Sequence, residues 1–372
     1  MRLKTIVLAG IATAVMVFSG FVQPAAAAFP SYQFVDLGTV PGDSAISYGW
    51  ALNDSGQSVG ESASWSFEMG RGIHYDGALH MLGTFGGPVS RAYGINNLGH
   101  IVGGAATATQ LHAFLYDGAM HDLGALGGTL SGANDINDLG QITGLLVTSD
   151  DRWHLFLYED GVMHDLGSMG GTYINGLAIN NHGKITGYAS PAGQTEDHAF
   201  LYDGSFHDLG TLGGAYSEGT DINDAGYIVG HSGGRPFFYD GTMHDLGFNG
   251  YAYGINEQNQ IVGSASFGAD PNDSYRAFLY DTTNGLVDLN TLIDPQPGWI
   301  LYSANDINEL GQIVGTGYLN GLPRAFLLTP VPEPSTIFLG AFGLASLCLT
   351  PVLRVRSRRT GLTKVAAHRR CK

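Results

Sequence analysis

The stretch "INDLGQITG", Ile136 to Gly144, decides the fold. An apolar residue and an Asn lead into a short polar turn, and an apolar strand follows that ends on Gly. The phrase returns as "LNDSGQSVG", "INNLGHIVG", "INNHGKITG", "INDAGYIVG", "INEQNQIVG" and "INELGQIVG". The marker Asn residues are Asn53, Asn96, Asn137, Asn180, Asn223, Asn256 and Asn308, spaced 43, 41, 43, 43, 33 and 52 residues apart. A period of this size matches the four-stranded blade of a propeller.

The rest of each unit supplies the other strands. "HAFLYDGAMHDLGALGG" (112–128) and "HAFLYDGSFHDLGTLGG" (198–214) are near copies, with "HLFLYEDGVMHDLGSMGG" (154–171) a looser one. Asp-Gly and Asn-Asp-x-Gly are hairpin chemistry, because Asn and Gly accept the positive φ of tight turns. Segments of four to seven residues rich in Phe, Tyr, Ile, Val and Leu read as strands, and no sustained 3.6-residue period interrupts 29–330. The region is predicted to be all-β. It begins mid-unit with "YQFVDLG" (32–38) and finishes with "RAFLLTP" (324–330), two half-blades that complete each other. That offset predicts a closed ring, a seven-bladed β-propeller of ~43-residue repeats with Phe34–Gly38 paired beside Ala325–Leu328. The "S-x-A-x-x-I-N" strand, with its small residues, is placed innermost.

A His recurs at one position of five units, at His80, His121, His164, His207 and His244. Equivalent positions of a sevenfold ring are spread apart, whereas metal ligands must converge within ~2 Å of one point. The expected role is structural, a His–Asp pair such as His121 with Asp122 at a blade edge, and neither a metal nor a cofactor is expected.

The two ends differ from the middle. Residues 1–28 have Arg2 and Lys4, an apolar run and "QPAAAAF", the pattern of a signal peptide handled by the Sec translocon, with cleavage expected after Ala28. An uncleaved N-terminal anchor is the weaker alternative. At the other end Ile337–Leu353 is an uncharged span at the short limit of a transmembrane helix, followed by Arg354, Arg356, Arg358 and Arg359 as a cytoplasmic stop. Residues 360–372 then form a cytoplasmic tail. Between the ends, 29–330 holds seven Lys and Arg against 32 Asp and Glu, a net charge of −25. Such a polyanion repels nucleic acid and acidic membrane surfaces. Both cysteines, Cys348 and Cys371, lie C-terminal to the repeats, so the repeats have no disulfide and no thiolate site.

The combined phrase "HAFLYDG-x-MHDLG-x-LGG" with "IN-x-x-G-x-IVG" resembles the bacterial extracellular HAF-repeat family over about 37–330. "GIHYDG" (72–77), "PFFYDG" (236–241) and "RAFLYDTTNG" (276–285) depart from it by lacking the HAF His. The resemblance implies an exported repeat protein and lends no catalytic residue. The segment 331–359 resembles a PEP-CTERM sorting signal, with Pro332, Glu333 and Pro334 as the motif, then the apolar span and the Arg cluster. It implies transient membrane anchoring, recognition by an exosortase-like transpeptidase in a Gram-negative, exopolysaccharide-producing bacterium, and delivery to the cell surface or medium. A plain C-terminal anchor is the alternative.

No catalytic constellation stands out: H-E-x-x-H, Walker A and a Cys nucleophile within the repeats are missing, and the two G-x-S-x-G matches, Gly56–Gly60 and Gly230–Gly234, fall at the ends of marker phrases with no helical pattern after them. Asp150-Asp151, Glu196-Asp197 and the loop with Asp270, Asn272 and Asp273 read as solvated loop acids rather than as acid–base pairs or calcium ligands. Two function classes remain. One is a non-enzymatic surface or matrix protein that binds extracellular polysaccharide or protein, with Trp50, Trp65, Trp153 and Trp299 as candidate stacking platforms. The alternative is a propeller lyase or hydrolase acting on extracellular polysaccharide at the central channel. The similarity of the repeats favours the first, because an enzyme site needs blades that differ at the channel.

Overall fold

A computed structural model describes residues 29–40, 46–63, 70–268 and 275–332. The expected signal peptide with Ala28, the loop residues Asp270, Asn272 and Asp273, Trp65, and Glu333, Pro334, Ile337–Leu353 and Arg354, Arg356, Arg358 and Arg359 lie outside the described residues. Pro332 is the last described residue.

The described chain up to Val331 is one compact unit of 28 strands and a single 3-10 turn, Leu289–Thr291. The strands form seven antiparallel four-stranded sheets, the predicted seven-bladed propeller. Blades 1 to 6 run in chain order from 46–81, 90–124, 130–167, 170–210, 217–245 and 250–288. Blade 7 is composite: Trp299–Ile307, Ile313–Leu319 and Leu322–Pro330 take Tyr32–Gly38 as their outer strand. Phe34 faces Leu328 and Gly38 faces Ala325, the register expected from the half-blades. The first strand of each blade is innermost, since these strands touch one another around the ring and together line the channel.

The core lies between blades. Seven separate clusters of buried side chains occur, one per interface. In six blades the Phe of the "AFLY" strand is fully buried there, at Phe114, Phe156, Phe200, Phe237, Phe278 and Phe326. The Ser of "S-x-A" is a clip between blades. Ser131 Oγ donates to Gly124 O and accepts from Ala113 N of the preceding blade, and Ser47 and Ser217 repeat the pattern.

The marker Asn closes the ring. Each Asn Nδ2 donates to the backbone carbonyl of the next marker: Asn53 to Asn96, Asn96 to Asn137, and so on through Asn256 to Asn308. Asn308 then donates to Asn53 O at 2.9 Å, joining last blade to first. Its Oδ1 meanwhile accepts the N–H groups of its own turn, as at Leu310 and Gln312. One residue type therefore shapes the hairpin and links neighbours, which explains its recurrence.

The Gly that ends each phrase answers a different demand. Every innermost strand has a β-bulge, as where Ala133 pairs Gly144 and Asp135 pairs Thr143, leaving Asn134 extra. The bulge draws a carbonyl over the facing Gly. A Cβ on Gly144 would sit 2.0 Å from Gly132 O, and one on Gly187 1.9 Å from Asn175 O. No larger residue fits.

The expected pairing of His121 with Asp122 is corrected. Successive strand residues point to opposite faces, so these neighbours cannot meet. His121 Nε2 instead contacts Asp117 Oδ1 of its own hairpin at 2.8 Å, as His80 does Asp76, His207 Asp203 and His244 Asp240. Asp122 is taken by the HAF His: His112 Nδ1 lies 2.9 Å from it, with His154–Asp165 and His198–Asp208 alike. Where the HAF His is missing an Arg stands in its place, and Arg235 pairs with Asp245 and Arg276 with Asp288. The retained His and Asp are rim fastenings on the outer strands.

Candidate functional site

The two mouths of the channel are built differently. At the marker mouth, the residue after each Asn forms a second closed ring. Asp54 N donates to Asn97 Oδ1, Asn97 N to Asp138 Oδ1, then Asn181, Asp224, Glu257 and Glu309 follow, and Glu309 N returns to Asp54 Oδ1. Five carboxylates share this rim, and their oxygens are engaged by backbone N–H groups of the adjoining blade.

Below them three Asp residues of alternate blades cross to the next blade. Asp135 accepts from Ile136 N and Ile179 N, Asp221 from Ile222 N and Ile255 N, and Asp306 from Ile307 N and Leu52 N. Burial in the channel wall pushes their carboxyls up against the pull of those donors, Asp135 to about 6.

The opposite mouth is a funnel of about 620 Å3. The bulges build it. In each blade the extra residue of the bulge, three before the marker Asn, is turned into the channel: Trp50, Tyr93, Asn134, Leu177, Thr220, Tyr253 and Asn305. Bulges serve elsewhere to re-aim a side chain in this way. Nearer the mouth come cross-strand pairs, Tyr48 facing Glu61, Asn175 facing Tyr188, Glu218 facing His231 and Ser303 facing Thr316. The frame positions repeat from blade to blade, whereas these columns differ in nearly every one.

The funnel is aromatic on one side. Tyr48 and Trp50 stack at 5.6 Å with planes 8° apart. Tyr302 meets Tyr318 edge-on at 5.4 Å, and Tyr251 lies parallel to Tyr253 at 6.4 Å. Three buried polar atoms of the wall, Trp50 Nε1, His231 Nδ1 and Thr316 Oγ1, have no partner among the described residues. Such atoms normally find one. Glu218 is pushed up to about 7 by burial and by Asp197, while burial holds the neighbouring His231 down to about 4.

Of the Trp residues singled out by sequence, Trp50 reaches the funnel. Trp299 packs edge-on against Phe34 in the closing blade, and Trp153 lies against Tyr173 at 4.3 Å. Asp150 is an exposed hairpin acid paired with Arg152, and Asp197 accepts from Ser190 Oγ. Glu218, His231 and the tyrosines went unnoticed in the sequence. Their signal was present: aligned on the marker Asn, the repeats diverge in the columns that reach this mouth.

Neither a family model nor a curated protein sequence matches the chain. Solved structures that are similar to it include a gluconolactonase from Xanthomonas campestris, 13% identical over 83% of this chain and 99% of that one, with a TM-score of 0.41. An acylaminoacyl peptidase from Pyrococcus horikoshii is 10% identical with a TM-score of 0.47, matched over 79% of this chain and 54% of its own. The propeller domain of a trilobed protease from Pyrococcus furiosus is 11% identical over 67% and 97%, with a TM-score of 0.36. Likenesses of this size carry no activity across.

Proposed function

We propose that the chain is an exported, surface-sorted protein whose aromatic funnel binds extracellular polysaccharide. The observation that carries the reading is the bulge column: an otherwise repetitive frame aims Trp50, Tyr93 and Tyr253, with other varied side chains, into one concave site. Sugar rings present C–H faces that pack on aromatic planes, and a concave site with a few polar atoms suits a bound chain segment. The test is to offer the host's own exopolysaccharide to the protein and to measure binding and chain cleavage together. Retention that is lost in Trp50→Ala supports the reading, and no retention at all defeats it.

A second reading, a lyase or hydrolase, is favoured by one observation, the Glu218–His231 pair in the funnel with its shifted protonation. The divergence of the funnel columns also removes the objection that the repeats are too alike. Release of new chain ends in the same assay, abolished by Glu218→Gln, would decide for it.

Sorting is part of the proposal. Signal cleavage after Ala28, transient anchoring by Ile337–Leu353 and processing at Pro332–Pro334 by an exosortase-like transpeptidase would leave a cysteine-free polyanion outside the cell. Intact-mass analysis of surface material should show a species ending close to Pro334, and a longer membrane-bound form after Glu333→Ala. A surface form that keeps its tail through Lys372 would leave only a plain anchor.

A further inference from the structure

The funnel contains a carboxyl group that no cation of its own wall partners. Burial and Asp197 push it up to about 7, so an ammonium brought beside it would favour its ionised form. Glu218, on the innermost strand of blade 5, keeps 30% of its side chain exposed. Its Oε2 lies 3.7 Å from His231 Nε2, but burial keeps that imidazole neutral near pH 7. The other charged neighbour is Asp197, of the same sign. No Lys or Arg pairs with Glu218 among the described residues, and Arg91 of the same mouth is engaged by Glu61 at 2.9 Å. Aromatic rings gather instead around its neighbour His231. Tyr216 meets His231 at 5.9 Å, His231 meets Tyr251 at 4.8 Å, and Tyr251 runs parallel to Tyr253. The Tyr188, Tyr216 and Tyr253 hydroxyls are pushed up, by burial first and also by the Glu218 charge.

An unpaired carboxylate among aromatic faces favours a cation, through a charge-assisted hydrogen bond and through attraction to the rings. The net charge of −25 over 29–330 works against a polyanion at the same mouth.

We propose that the funnel selects glycans bearing free, protonated amino groups, that is, amino-sugar chains at least partly without N-acetyl groups, with Glu218 receiving the ammonium while Trp50 and Tyr253 pack the sugar rings. The proposal rests on the funnel being a polysaccharide site.

The test titrates the full chain with three hexamers, of glucosamine, N-acetylglucosamine and galacturonate, at about pH 7, where Glu218 and the sugar amine are each partly charged and an ammonium–carboxylate pair can form. The glucosamine hexamer should bind ~10-fold tighter than its N-acetylated counterpart, and Glu218→Gln should remove about that factor from the ratio. Glu218→Asp, which keeps the charge, should keep part of the preference, and melting curves recorded beside each titration confirm that the variants fold. Trp50→Ala should weaken both hexamers. Equal binding of the two, tighter binding of galacturonate, or a ratio that survives Glu218→Gln overturns the amine selectivity and leaves the polysaccharide site standing. If none of the three binds, the amine selectivity falls, and the polysaccharide site stands or falls on retention of the host's own exopolysaccharide.

Discussion

Asn180 uses both ends of its side-chain amide. Nδ2 donates to Asn223 O of the next blade, and Oδ1 accepts from His182 N and Lys184 N of its own turn. Each such bond contributes ~1 kcal/mol net, so Asn180→Ala should cost about 3 kcal/mol in chemical denaturation. His207, also recurrent in the sequence, meets Asp203 at the exposed rim. Its replacement by Ala should behave as a surface change, within ~0.5 kcal/mol. A larger loss at His207 than at Asn180 would reverse the roles assigned to them. The sequence marked both as recurrent but held no sign of which was buried. That is why the sequence pairs His121 with its neighbour Asp122 although its partner is Asp117, while the Asn is a sound anchor of the repeat.

At the scale of the element, the innermost strand is defined by its bulge. Gly187→Ala would place a methyl 1.9 Å from Asn175 O, and the strand must shift, costing on the order of 3 kcal/mol. Gly132→Ala, with nothing within 4 Å of the new atom, should cost little. The strand also carries the blade-to-blade Asp residues. Asp135 is raised to about 6, chiefly by burial, so between roughly pH 4 and 6 the folded state keeps a proton that the unfolded chain has lost. Its contribution to stability is therefore largest near pH 4 and falls as pH rises through about 6. His231, lowered to about 4, has the opposite sign over much of that range. Melting temperatures of Asp135→Asn and the native chain at pH 4.5 and 7.5 should separate the two, because the native chain loses more stability on going to pH 7.5 than the variant does. Short apolar segments and turn chemistry made strands and hairpins legible. A bulge left no such mark, since one extra residue in a strand resembles a slightly longer strand, and the funnel built by the bulges was missed with it.

At the scale of the whole molecule, closure depends on Tyr32–Gly38. The segment pairs with Leu322–Pro330 and buries Tyr32 and Leu37 against neighbouring blades. Its deletion should lower and broaden thermal unfolding, and an unchanged melting curve would contradict closure by strand exchange. The ring itself was readable from the phase of the two half-blades. What the ring does was harder to read, because the recurring words are structural fastenings and the ligand-facing residues are those the words leave free. The most direct measurement of that division is a tryptophan-fluorescence titration of the protein with its host's exopolysaccharide. A saturable change is expected, and it should disappear in Trp50→Ala, whose indole lines the funnel. The full change persisting in that variant would place the ligand elsewhere on the molecule.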